Sequence, residues 1–158
     1  MLRRTLLTTA AALLGTSALT APAFALTPGK NQVEVWKTAT CGCCHDWVAH
    51  LQANGFEVKT YDISEAAKSH QRTQLGLAEK YGSCHTALIS GYVLEGHVPA
   101  RDIQRLLKER PKALGLAVPG MPVGSPGMDG PAYGGRKDTY AVLLVQRDGS
   151  SSVYQSYP

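Results

Sequence analysis

The sequence predicts an α/β domain with the element order β-α-β-α-β-β-α, followed by a Gly/Pro/Met loop and a β-hairpin extension. Three observations lead there. Short runs of β-formers alternate with apolar residues at helical spacing between Val33 and Pro111. A Ser90-Gly91 turn joins two of those runs directly, and a second pair of runs brackets Asp148-Gly149. The chain has 158 residues, 44% hydrophobic and 18% charged, with a mean hydropathy of −0.13. That suits one domain and excludes both a charged disordered polymer and a multi-span membrane protein. The formal charge of +4 contains no Lys/Arg run, so nothing points to nucleic acid as a partner.

Each element has its own signal. Val33 to Lys37 is a run of β-formers. Trp47, Val48 and Leu51 then mark one face of a helix, and Asn54-Gly55 is its stop. Phe56 to Ile63 reads as the second strand. Asp62-Ile63-Ser64-Glu65 supplies caps for a helix over Ala66 to about Gln74, and Gly76 and Gly82 break the chain beyond it. Thr86 to Ile89 and Tyr92 to Leu94 are the third and fourth strands. Pro99 suits the first turn of a last helix, Ile103, Leu106 and Leu107 its buried face, and Pro111 its end. A strand, a crossover helix and a parallel strand, then a hairpin and a covering helix, is the thioredoxin-like arrangement. In the segment 115–135, seven glycines and four prolines predict loop, of a length that suggests function. Thr139 to Val145 and Ser152 to Tyr157 form the final hairpin.

Residues 1–25 read as an export signal. Arg3 and Arg4 precede an apolar stretch from Leu6 to Leu19, and Ala23-Phe24-Ala25 is a small-x-small cleavage site. The expected product is a periplasmic protein with no membrane span after cleavage, exported by the general secretory or the twin-arginine route. The expected division is a leader over 1–25, the α/β domain over 26–112 and the extension over 113–158.

Chemistry concentrates on sulfur. Cys41, Cys43 and Cys44 fall within four positions, where the first strand meets the first helix. A helix N-terminus stabilises thiolate, which favours disulfide exchange or metal ligation. The third thiol, Cys43, fits a bridged soft-metal site better than a simple redox pair, although one Cys41–Cys44 disulfide with Cys43 buried stays open. Cys84-His85-Thr86 stands before the third strand, at the place where a thioredoxin-like fold usually carries a cis-proline beside its CxxC pair. Cys84 is thus a candidate thiolate and His85 a candidate imidazole ligand or proton partner. The methionines after the initiator, Met121 and Met128, both lie in the Gly/Pro loop, which has no regular core face to fill. Thioether with thiolate is the donor set that selects Cu(I). Packing of Met121 and Met128 as loop anchors is the alternative. His97 is a weaker ligand candidate and reads first as a cap for the next helix, while His45, His50 and His70 read as solvated. Trp36 and Trp47 read as packing.

Cys41-Gly42-Cys43-Cys44, Ser83-Cys84-His85-Thr86, Gly91 to Pro99 and the Gly120–Met128 loop together resemble the CopG-like family of periplasmic copper-resistance proteins. The resemblance spans nearly all of the chain after the leader. It implies a thioredoxin-like domain whose C-terminal extension helps to bind metal, and a cysteine-bridged copper cluster beside the CxCC motif. Carried over, the bridging thiolates are Cys41, Cys43, Cys44 and Cys84, with Met121 and Met128 as outer ligands and His85 as a further one. The implied function is sequestration of Cu(I), with Cu(I)/Cu(II) interconversion in copper resistance. The expected partners are copper ions and a periplasmic copper chaperone or efflux component. Two other readings remain from the residues: a thiol–disulfide oxidoreductase using Cys41 and Cys44 with Cys84 as resolving thiol, and a structural zinc site.

Overall fold

The structure, a computed structural model, describes residues 31–158; the expected leader and its cleavage site lie outside the described residues. Among the described residues, three α-helices and one seven-stranded sheet make up the fold. In chain order they are β1 (Gln32–Lys37), α1 (Gly42–Ala53), β2 (Glu57–Asp62), α2 (Glu65–Gln74), β3 (Thr86–Ile89), β4 (Tyr92–Glu95), α3 (Ala100–Glu109), β5 (Gly115–Ala117), β6 (Tyr140–Val145) and β7 (Ser151–Tyr157). The strands lie in the order β2-β1-β3-β4-β5-β6-β7. β1 pairs parallel with β2 across the α1 crossover, and β4 parallel with β5 across α3; the other pairs are antiparallel.

Strand alternation divides the core between the two sheet faces. Val33, Val35, Ala87, Ile89, Leu94, Leu116 and Val142 meet Trp47 and Leu51 of α1 and Ile103 and Leu106 of α3. Val93, Ala117 and Val145 point the other way and pack with Leu77, Tyr81 and Leu114. Helix α1 buries Cys44, Trp47 and Leu51, with Val48 packed partly buried beside them. Ser64 caps α2, its hydroxyl accepting the Ala67 amide at 3.2 Å.

Two features depart from the expected pattern. First, the segment read as loop from residue 115 opens with a strand. Gly115–Ala117 fills the gap between β4 and the terminal hairpin, so the hairpin continues the main sheet. A Cβ on Gly115 would sit 1.8 Å from the Val93 carbonyl oxygen, and only glycine fits this strand crossing. Second, the buried residues of α2 are cations, Lys68 and Arg72, rather than apolar residues. Both hydrogen-bond to the segment that carries Cys84.

Candidate metal centre

The register of β1 against β3 builds the site. Trp36 pairs with Thr86, which brings the Cys84-His85 segment alongside the turn that leads into α1. The Sγ atoms of Cys41, Cys43, Cys44 and Cys84 all lie within 4.8 Å of one another. Cys41 and Cys44 are joined in a disulfide, as in the alternative left open above, but without the burial of Cys43 which that alternative expected. Cys43 and Cys84 are free thiols, both partly buried. Cys43 Sγ stands 3.6 Å from Cys41 Sγ and 3.9 Å from Cys84 Sγ.

Two imidazoles join Cys84. His85 Nδ1 is 3.2 Å from its sulfur and His97 Nε2 is 3.0 Å away. The sequence suggests His97 as the cap of α3, and the structure gives it another part. Its Nδ1–H donates to the Pro126 carbonyl at 2.8 Å, which leaves the Nε2 lone pair aimed at Cys84. A ring fixed through one nitrogen to a backbone carbonyl, with the other free, is the usual posture of a metal-ligating histidine. The cap on α3 comes instead from His50, whose Nε2 accepts the Ala100 amide at 3.1 Å. His45, though exposed, places Nε2 3.2 Å from the Ala39 carbonyl and 3.3 Å from Lys37 Nζ. His70 lies exposed on α2. Trp47 packs as expected, donating Nε1–H to the Val98 carbonyl at 2.9 Å, and it also lays its ring 4.2 Å from that of His85. His85 is fully buried, and its Nε2 has no hydrogen-bond partner among the described residues.

Burial sets the protonation states. Desolvation, and next the Cys43 thiol, push Cys84 up to about 12, against a weaker pull from Ser83 and Lys68. Desolvation lowers His85 well below its ordinary 6.5, with His97 adding to the effect, and lowers His97 as well. At pH 7 the site therefore offers a protonated Cys84 thiol and two neutral imidazoles. That set is poised to exchange a thiol proton for a metal cation.

A buried ionic network fixes the segment that carries Cys84. Arg72 Nε donates to Glu95 at 2.9 Å, its Nη1 to both oxygens of Glu79 at 2.9 Å, and its Nη2 to the Ser83 carbonyl at 3.1 Å. Glu95, fully buried, also accepts from the Ser83 amide and the Thr86 hydroxyl at 2.6 Å each. Lys68 donates to the Cys84 carbonyl at 2.8 Å and pairs with Glu65. Sequence reading missed Lys68, Arg72 and Glu95. The one available signal was the i, i+4 pair of cations on α2, which ordinarily marks a solvated face.

The Gly/Pro loop covers this end of α1. Gly127 has a φ of +85°, and a Cβ there would lie 2.6 Å from the Cys43 carbonyl oxygen and 2.8 Å from the Trp47 nitrogen. Met128, which follows it, is buried, and its Sδ accepts the Tyr133 hydroxyl at 3.2 Å. Met121 is 53% exposed and lines a cleft of about 600 Å³ together with Cys84. Thiols, neutral imidazoles and thioethers are soft or borderline donors and fit copper as cargo.

The comparisons agree with that chemistry. A family model described as "Protein of unknown function, DUF411" matches residues 81–128. No curated protein matches the chain. Two solved structures named copper resistance protein copG, forms 1 and 2, are similar at 47% and 50% identity, with TM-scores of 0.73 and 0.72. Each covers 80% of this chain, which in turn covers 97% and 98% of theirs. With such identity over nearly the whole of both neighbours, and a cysteine cluster able to bind metal, this chain belongs to the CopG family of copper resistance proteins.

Proposed function

We propose that this protein is an exported, periplasmic copper-binding protein that sequesters Cu(I) in a polynuclear cluster bridged by Cys41, Cys43, Cys44 and Cys84. The observation that carries the reading is the convergence of four sulfurs from two distant stretches within 4.8 Å. His85 and Met128 act as further ligands. His97, oriented by Pro126, joins them. Bound copper supplies the positive charge that replaces the thiol protons, so a buried cluster carries little net charge. One-electron cycling between Cu(I) and Cu(II) is the redox chemistry such a site supports in copper resistance. A periplasmic chaperone or efflux component exchanges the metal. The β1-α1-β2 crossover, the β3-β4 hairpin and α3 support a thioredoxin-like core over 26–112, with 113–158 as its metal-binding extension.

The disulfide makes loading redox-dependent. With Cys41 and Cys44 bridged, only Cys43 and Cys84 offer thiols. That same bridge, at the N-terminus of α1, favours one second reading: a thiol–disulfide oxidoreductase. Anaerobic titration of the fully reduced protein with Cu(I) separates the two. The expected result is more than one equivalent bound, with all four thiols lost to alkylation. Saturation at one equivalent with thiols still reactive overturns the cluster. Turnover of a disulfide substrate by metal-free protein, abolished in Cys41→Ser, supports the oxidoreductase.

A further inference from the structure

Met121 does not share the environment of Met128. It stands at the rim of the cleft formed by Lys68, Arg72, Ser83 and Cys84, and its thioether makes no hydrogen bond among the described residues. Its exposure does not come from a loose loop. The preceding residue is held twice beside Cys84: the Gly120 amide donates to the Gly82 carbonyl at 3.2 Å, and the Ser83 hydroxyl donates to the Gly120 carbonyl. A large apolar side chain is thus held in solvent next to the segment that carries a free thiol.

The cations around the cleft are paired. Glu65 is paired with Lys68 at 2.8 Å and Glu79 with Arg72 at 2.9 Å. Arg72 also pairs with the buried Glu95 at 2.9 Å, so both cations beside the cleft are engaged by carboxylates. The soft donors in the cleft are the Met121 thioether and the Cys84 thiol. A single neutral thioether binds Cu(I) weakly, which suits a ligand that must release the ion.

We infer that this cleft is the route by which Cu(I) reaches the centre, and that Met121 is the transit ligand that takes the ion first and passes it to Cys84. The inference rests on the copper-binding reading and gives Met121 a part distinct from that of a resident ligand. The transfer is a ligand exchange with no change of oxidation state. The bond from copper to the Met121 thioether breaks, a bond to Cys84 Sγ forms, and the thiol proton leaves to water.

Stopped-flow mixing of the reduced, full-length protein with the Cu(I)–bicinchoninate complex, under argon, reads the loading rate. The same chelator at equilibrium reads affinity and stoichiometry. Met121→Leu conserves volume at an exposed position, so the fold is not at issue. It should slow loading by about tenfold, through loss of the one soft donor at the mouth, while stoichiometry and equilibrium affinity stay at the wild-type values. Loss of an equivalent, or weaker equilibrium binding in Met121→Leu, would make Met121 a resident ligand and overturn the inference. An unchanged loading rate would overturn it too. Wild-type protein that takes up no Cu(I) at all removes the underlying copper reading instead, and the two failures are thereby told apart.

Discussion

His50 accepts the first free amide of α3 with a ring that is half buried between two helices. Truncating it leaves the Ala100 N–H without a partner at a helix N-terminus, so His50→Ala should cost about 1 kcal/mol in urea unfolding. The bond also requires a neutral ring. Desolvation lowers His50 below its ordinary 6.5, with Asp129 opposing. Below that value the unfolded chain binds a proton that the folded ring refuses, so stability falls as pH drops through 6.5 and levels off once the folded ring titrates. His50→Gln, which keeps an acceptor but cannot titrate, should lose less stability than wild type between pH 7.5 and 5.5. An equal loss in both would mean that His85 and His97, lowered in the same direction, carry all of it. His50 was not legible in its true part, and His97 was legible only as a weak ligand candidate behind its reading as a cap. A histidine one residue before Val98-Pro99 looks like a local cap, and one near the end of an amphipathic helix looks solvated. The actual partners, Ala100 for His50 and Cys84 and Pro126 for His97, are set by tertiary packing that local context does not encode.

At the level of elements, β5 decides whether the C-terminal hairpin belongs to the sheet. It is three residues long and begins with glycine, so neither β-propensity nor alternation marks it. Its neighbours hold it in place. Leu114 accepts the Val93 amide at 3.0 Å and donates to the Val145 carbonyl at 2.8 Å, which stitches β4 to β6 through this short strand. Gly115→Ala introduces a Cβ 1.8 Å from the Val93 oxygen, and backbone atoms cannot yield as a flexible side chain would. The expected cost is about 3 kcal/mol, the upper range for overpacking. Hydrogen exchange should show β5, β6 and β7 losing protection while β1 and β2 keep theirs. Uniform loss across the sheet would mean that the hairpin and the rest open as one unit. The longer elements were legible because each carries its own period: Trp47, Val48 and Leu51 for α1, Ile103, Leu106 and Leu107 for α3. Helix α2 was legible as a helix through Ser64, yet its inner face was not, since Lys68 and Arg72 are buried only because Glu65, Glu79, Glu95 and two carbonyls receive them.

Across the whole molecule, the sulfur centre ties together parts of the chain that nothing local connects. Three of its cysteines were visible as one motif. Cys84, forty residues on, joins them through the β1–β3 register, and the Gly/Pro loop closes over α1 through Gly127. A metal bound there links the start of α1, the Cys84 segment and His97 in the folded state only, so binding must raise stability by mass action. With free Cu(I) at about a hundred times Kd the gain is about 2.7 kcal/mol. At about 4 °C per kcal/mol for a domain of this size, Tm should rise by about 10 °C. On the proposed four-sulfur cluster, that gain requires all four thiols. In the oxidised protein the Cys41–Cys44 bridge withholds two of them, leaving Cys43 and Cys84. The expected outcome of paired thermal melts is a large Cu(I)-dependent rise in the reduced protein and less than half of it in the oxidised protein. Mere addition of reductant without copper should not reproduce the rise, because a bridge between residues three apart restrains little chain entropy. Equal shifts in both forms would place the metal away from Cys41 and Cys44, and the four sulfurs would then be neighbours without being co-ligands.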